Sequence, residues 1–223
     1  MKKAVVIVAG GSGTRMKSDL PKQFIEWCGK PILMHTIERF YKYSEAMEIV
    51  LVLPKNQFTL WDELCQKYDF NIPLQLANGG ATRFESVNNG LDILEEECLV
   101  GVHDGVRPLV SFNTLDNCYK TAEMEGSAIP VTEAFESIRE VDDNMNKAVD
   151  RTRYKMVQTP QVFILSKLKE AYNQPFNSIF TDDASVYEYA GNKVFLTEGN
   201  RENIKITTPI DLLIGESLKD YLH

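Results

Sequence analysis

"VIVAGGSGTRMKSDLPKQF", residues 6–24, decides how the rest of the chain is read. An apolar, β-branched run breaks into Gly10, Gly11 and Gly13, and the basic residues Arg15, Lys17 and Lys22 follow. The run over residues 4–8 has the continuous apolar character of a parallel strand covered on both faces. Glycines after such a strand let backbone N–H groups close on phosphate oxygens, and nearby cations reach the same anion through their side chains. Two familiar phosphate patterns fail here. A P-loop needs glycine directly before Lys-Ser, and Met16 stands there. The dinucleotide fingerprint fits Gly11 and Gly13 but meets Met16 at its third glycine.

Working outward, helical and extended patterns alternate. "ILMHTIERFYKY" has helical spacing after Pro31, which can open a helix in its first turn. "EIVLVLP" is a second buried strand, "FTLWDELCQKY" an amphipathic helix, "PLQLANGG" a short strand and "RFESVNNGLDIL" a helix. "LVGVHDGVRP" is a strand that runs out at Asp104, "LDNCYKTAEMEG" a helix with Gly126 as its C-terminal stop, and "SAIPV" another strand. This alternation predicts a three-layer α/β fold around a mostly parallel sheet. Between about 134 and 151 the pattern changes to two alternating strands around a polar turn. The hairpin is either an arm that packs on a second copy or a plain surface feature. "TPIDLLIGESLKDYL" closes the chain as a helix. No linker, repeat or low-complexity segment interrupts residues 1–223, so a single domain is expected.

Composition narrows the function. The formal net charge of the 223 residues is −8, which argues against a nucleic-acid partner. Residues 1–30 nevertheless carry six basic and two acidic side chains, so a local +4 segment sits on an otherwise acidic chain. That suits capture of a small polyanion at one place. No apolar run is long enough to span a bilayer. The Lys-Lys start is followed by an apolar run too short for an export signal, so a cytoplasmic protein without a membrane partner is expected. Cys28, Cys65, Cys98 and Cys118 show no metal-ligand spacing and are read as reduced thiols.

The loop "AGGSGTRM" followed by "PKQ" resembles the signature of nucleotidyltransferases that activate sugars or polyols. "NGGATRFESVNNG", "VHDGVRP", "AVDRTRYKMVQTPQVF", "TDDASVYEYAG" and "EGNRENIKITTPIDL" then resemble, in order, blocks of the 2-C-methyl-D-erythritol 4-phosphate cytidylyltransferases. The sister family of ribitol-5-phosphate cytidylyltransferases shares much of the pattern. The resemblance implies a single-domain, Rossmann-like nucleotidyltransferase fold with a protruding β-hairpin arm. It also implies CTP and a polyol phosphate as substrates, Mg²⁺ or another divalent cation, and a homodimer formed through the arm. A phosphomonoester has a second pKa near ~6, so the attacking group is already a dianion and needs no general base. This agrees with a chain that shows no Ser-His-Asp or Cys-His pattern. A nucleotide-binding sensor without turnover is the alternative from another class, and the failed fingerprint weighs against a dinucleotide oxidoreductase.

Residue by residue, the resemblance assigns Arg15 and Lys22 to charge stabilisation in the transition state. Arg151 and Lys205 are to position the polyol phosphate, Arg151 reaching in from the partner. Ala9, Gly10, Gly11, Gly13, Gly79, Gly80, Arg83, Ser86 and Asp104 are to bind CTP. The 79–86 block also reads as a helix N-terminus. Arg107, Thr159 and Thr181 are to contact the second substrate. Asp104 faces either the ribose or a metal held mainly by CTP phosphates, or it pairs with Arg107 as a structural ion pair. His103 reads as a packing residue, and Asp182 and Asp183 as acids at a helix N-terminus. Ala134 departs from the threonine that many family members carry, a departure that bears on a substrate contact there.

Overall fold

The computed structural model describes residues 1–11, 20–142 and 145–221. In chain order the elements are β1 (Lys2–Val8), β2 (Glu26–Trp27), β3 (Lys30–Pro31), α1 (Ile32–Tyr43), β4 (Glu48–Leu53), α2 (Phe58–Lys67), β5 (Gln75–Asn78), α3 (Arg83–Ile93), β6 (Cys98–Asp104) and α4 (Phe112–Glu125). They continue with β7 (Ser127–Glu133), β8 (Arg139–Asp142), β9 (Met145–Ala148), β10 (Lys155–Val157), β11 (Gln161–Ile164), α5 (Leu165–Tyr172), α6 (Asp183–Tyr189), β12 (Leu196–Glu198) and α7 (Pro209–Leu218).

The β-branched run of β1 makes it the centre of an eight-stranded sheet ordered β10-β7-β11-β6-β1-β4-β5, with β12 on β7. β1 pairs in parallel with both β4 and β6, while β11 runs antiparallel between β6 and β7. Successive β1 side chains enter opposite cores, as a two-residue period requires. Val5, Ile7 and Ala9 pack with Leu33, Ile37 and Phe40 of α1, Trp61 of α2 and Tyr119 of α4. Ala4 and Val6 pack with Leu91 of α3, Leu168 of α5 and Val186 of α6. The result is the three-layer α/β architecture that the alternation predicts. Gly126 stops α4 in the left-handed region, φ 92°. Pro31 differs slightly from expectation: it is the N-cap of α1 and its backbone belongs to β3, so the helix begins at Ile32.

The layout creates a cleft. From β1 the chain crosses toward β4 and β5, whereas from β6 it crosses the other way, toward β7. Ligands of open α/β sheets sit where neighbouring strands send their connections in opposite directions, beyond the carboxyl ends. Here that place lies between residues 9–11 and residues 104–107. The two strand ends approach closely, since the Gly105 N–H donates to the Val8 carbonyl at 2.9 Å. A Cβ on Gly105 would lie 2.9 Å from that of Ala9. A third core of Trp27, Ile32, Val106, Leu109 and Ile206 seats α7 beside this end of the sheet.

The hairpin β8–β9 carries no buried residue in either strand, with Val141 and Met145 about three-quarters exposed. No helix among the described residues is long and apolar enough to cross a membrane.

Candidate active site

Two adjoining cavities open at the strand ends. The first, about 230 Å³, is lined by Ala9, Gly10 and Gly11 after β1, by Lys22 and Gln23, by the 80–83 turn with Ser86, and by Asp104 and Lys205. The second, about 250 Å³, is lined by Arg107, Gln158, Thr159, Gln161, Thr181 and Asp182. Arg83, Asp104 and Lys205 line both.

The sequence places Lys22 by anchoring its neighbours. Gln23 and Phe24 are buried, and the Gln23 side chain donates to the Ala9 carbonyl at 2.6 Å and to Gln57 at 2.8 Å. This holds the lysine segment against the glycine loop: a Cβ on Gly11 would lie 3.2 Å from Lys22 Cε. Gln23 and Gln57 carried no signal in the sequence, because a buried glutamine contact across 34 residues leaves no periodic mark.

The 79–86 block folds as the start of α3. Thr82 caps the helix by accepting from the Glu85 N–H, the Gly80 N–H donates to Ser86 Oγ at 3.0 Å, and Ser86 donates to the Thr82 carbonyl at 2.8 Å. Gly79 lies one residue outside the cavity lining, its N–H given to the Leu53 carbonyl.

Of the readings that the sequence left open for Asp104, the structure shows the ion pair with Arg107, placed where the two cavities meet. It sits on the shared wall, and its Oδ2 accepts from Arg107 Nε at 3.0 Å and pairs with Lys205 Nζ at 3.1 Å. Burial opposes ionisation of this carboxyl, but Lys205, Arg107 and Arg83 outweigh it and hold its pKa well below the usual carboxylate range. Two cations on one carboxylate leave this group of three at a net +1, which suits an incoming phosphate. Lys205 is fixed by its neighbour: Ile206 is fully buried and its N–H donates to the Val106 carbonyl at 2.9 Å. Arg107 also donates to the Asn203 carbonyl at 2.7 Å, so its guanidinium is held by protein acceptors at two points.

His103 is the packing residue that the sequence suggests. It is fully buried, edge-on to Phe40, with Nε2 at 3.0 Å from the Arg107 carbonyl and Nδ1 at 3.0 Å from Thr159 Oγ1. A carbonyl only accepts, so Nε2 carries the proton and Thr159 donates to Nδ1. The Thr159 oxygen also accepts from the Asp104 N–H at 3.2 Å, so the hydroxyl anchors the backbone of Asp104 while lining the second cavity. Burial lowers the His103 pKa from 6.5 to about 4. The unfolded chain therefore binds this proton before the folded one does, and stability falls as pH drops from about 6.5 to about 4. Denaturant unfolding of the wild type and His103→Gln across that window is expected to show a flatter slope in the variant. Equal slopes would remove His103 from the account.

Among the expected site residues, Arg15 and Gly13 lie outside the described residues. Arg151 is exposed, donates to the Phe135 carbonyl at the base of the hairpin, and lines neither cavity of its own chain. Asp182 is the N-cap of α6 in a reciprocal capping box with Ser185. Asp183 departs from a simple helix-terminus role: it is fully buried and binds Arg83 with both oxygens, at 2.9 and 2.6 Å. No group of three or more His, Cys, Asp or Glu side chains among the described residues is arranged to hold a metal ion. Asp104, on the wall common to both cavities, is the carboxylate that would reach an ion carried on nucleotide phosphates there.

The family profile of the 2-C-methyl-D-erythritol 4-phosphate cytidylyltransferases matches residues 3–220. The chain belongs to this family. The cytidylyltransferase of Bacteroides thetaiotaomicron is 54% identical over 218 residues, covering 98% of this chain and 100% of that one. Among solved structures, the 4-diphosphocytidyl-2C-methyl-D-erythritol synthase of Anaerococcus prevotii superposes with a TM-score of 0.82 at 28% identity, covering 98% of this chain and 96% of that one. The cytidylyltransferase of Thermus thermophilus gives 0.81 at 28% identity, covering 99% and 100%. Family membership thus spans both cavities and every element that lines them.

Proposed function

We infer that the chain transfers the cytidylyl group of CTP to 2-C-methyl-D-erythritol 4-phosphate, releasing pyrophosphate and forming 4-diphosphocytidyl-2-C-methyl-D-erythritol, an isoprenoid precursor. The family match over nearly the whole chain carries this reading. The paired cavities, with Arg83, Asp104 and Lys205 on the shared wall, support it, because two phosphates must meet at one point. Neither the ribitol-phosphate enzyme nor the sensor is favoured.

The substrate phosphate is the nucleophile, and it attacks the α-phosphorus as pyrophosphate leaves. Catalysis then consists of positioning and charge stabilisation. Lys22, with Arg15, neutralises charge on the phosphoryl oxygens. Lys205, held by Asp104, orients the acceptor phosphate. A divalent cation, when bound on the CTP phosphates beside Asp104, would supply further neutralisation of the triphosphate. Thr181 is a hydroxyl contact in the acceptor cavity. Arg107 and Thr159 are tied to protein partners and serve the acceptor by fixing Asp104 as well as by lining its cavity. A homodimer through the hairpin and a cytoplasmic location complete the proposal.

The direct test incubates the protein with CTP, Mg²⁺ and each polyol phosphate in turn and follows pyrophosphate release. Release with methylerythritol phosphate and little with ribitol phosphate is expected. No release with either would mean a protein that binds nucleotide without turning it over. UTP in place of CTP is expected to lower kcat/KM by about 10²-fold or more, because a site fitted to one base edge leaves polar groups unpaired with the other. Equal kcat/KM for the two nucleotides would contradict base reading by the 79–86 block.

A further inference from the structure

Arg83 stands on the wall between the two cavities, yet both of its terminal nitrogens are engaged elsewhere. They donate to the two oxygens of Asp183, a residue 100 positions away and fully buried. Asp183 Oδ1 also accepts from the Tyr172 hydroxyl at 2.7 Å. The Tyr172 ring stacks at 4.7 Å on Phe84, the residue next to Arg83. A surface arginine samples many rotamers, and this one is fixed by a two-point fork, a buried hydroxyl and the stacking of its neighbour. The same clamp joins the two halves of the cleft. Arg83 begins α3, next to the nucleotide cavity, and Asp183 begins α6, two residues after Thr181 of the second cavity.

We propose that Asp183 and Tyr172 are positioning residues for the transfer reaction, holding the Arg83 guanidinium as a fixed cation between the nucleotide and the acceptor phosphate. The proposal rests on the cytidylyltransferase reading and adds to it two residues that line neither cavity. The competing account is a buried ion pair that serves folding alone. The two differ in what happens when both charges are removed. Loss of one partner strands a buried charge, and loss of both removes that cost.

The decisive variant is therefore the double substitution Arg83→Gln with Asp183→Asn, compared with each single one. Three quantities are read: thermal midpoint, Kd for CTP by calorimetry, and KM for the polyol phosphate. A pair that serves folding alone predicts that the double variant recovers all three. Positioning predicts that the thermal midpoint recovers while Kd for CTP and KM for the acceptor both stay about tenfold weaker. Tyr172→Phe keeps the ring on Phe84 and is expected to weaken both constants together by about threefold. Thr181→Ala, on the acceptor cavity only, should move the acceptor KM and leave CTP binding unchanged. A double variant that binds CTP and uses the acceptor with wild-type constants overturns the proposal. Should the double variant not fold, an unchanged Tyr172→Phe overturns it instead. Wild-type pyrophosphate release reports on the function itself, and CTP titration needs no turnover, so failure of the function and failure of the clamp are told apart.

Discussion

Lys22→Ala is expected to lower kcat by about 10²–10³, the usual loss for one donor aimed at developing charge. The KM for CTP should stay within about threefold of wild type. In the reaction a phosphate dianion approaches a triphosphate, and negative charge gathers at the transferred phosphoryl group and the departing pyrophosphate. Only an interaction that strengthens in that state raises the rate. Lys22 is suited to this because its backbone is held by buried Gln23 and Phe24 and its side chain runs along Gly11 at the mouth of the nucleotide cavity. A flexible surface lysine would need ordering at each turnover, and the anchored backbone of this one lowers that cost. Arg15→Ala is the companion variant and should show the same division. Steady-state kinetics together with CTP titration separates the possibilities: a variant that raises only the KM for CTP would make Lys22 a uniform binding group.

Arg151→Ala is expected to abolish use of the polyol phosphate while sparing CTP binding, and to be rescued by a partner. Arg151 lines neither cavity of its own chain. It lies in the short turn Arg151–Arg153 at the foot of a hairpin whose strand residues are all exposed, Val141 and Met145 among them. A lone two-stranded hairpin is marginal in water, and exposed apolar side chains on it call for a packing surface. In the proposed homodimer, two-fold symmetry supplies that surface and carries each Arg151 toward the other subunit's acceptor cavity. Mixing Arg151→Ala subunits with inactive Lys22→Ala subunits then gives mixed dimers in which one site has both residues intact. Random exchange should restore about a quarter of wild-type activity, since half of the dimers are mixed and each has one working site. A mixture as inactive as its parents after verified exchange would mean that Arg151 acts in its own chain or not at all.

What could be read in advance follows from range along the chain. The β1 strand, the α1 helix after Pro31 and the Gly126 stop are local patterns, and periodicity or turn chemistry reveals them. The loop after β1 and the end of β6 were legible as a site for a similar reason: strand carboxyl ends in an α/β sheet are where ligands are held. The 79–86 block was legible as a capped helix start, visible in the hydrogen bonds of Thr82 and Ser86, and residues 80–83 and Ser86 line the first cavity. Contacts between distant segments were not legible. Asp183 looked like a second acid at a helix N-terminus, and only the fold turns it toward Arg83. Lys205 meets Asp104 because a buried isoleucine beside it packs into the core under α7, and no spacing rule predicts that. Gln23 bracing the glycine loop belongs to the same class.

The central claim is a single direct displacement, in which the substrate phosphate attacks the α-phosphorus with no enzyme nucleophile between. The measurement that tests it most directly uses one diastereomer of CTP carrying sulfur in place of an α-phosphoryl oxygen, with the configuration at phosphorus read in the diphosphocytidyl product by ³¹P NMR. One in-line attack inverts that centre, so the account predicts inversion. Retention would require two successive displacements, hence a covalent enzyme intermediate, and would contradict the mechanism derived from this cleft.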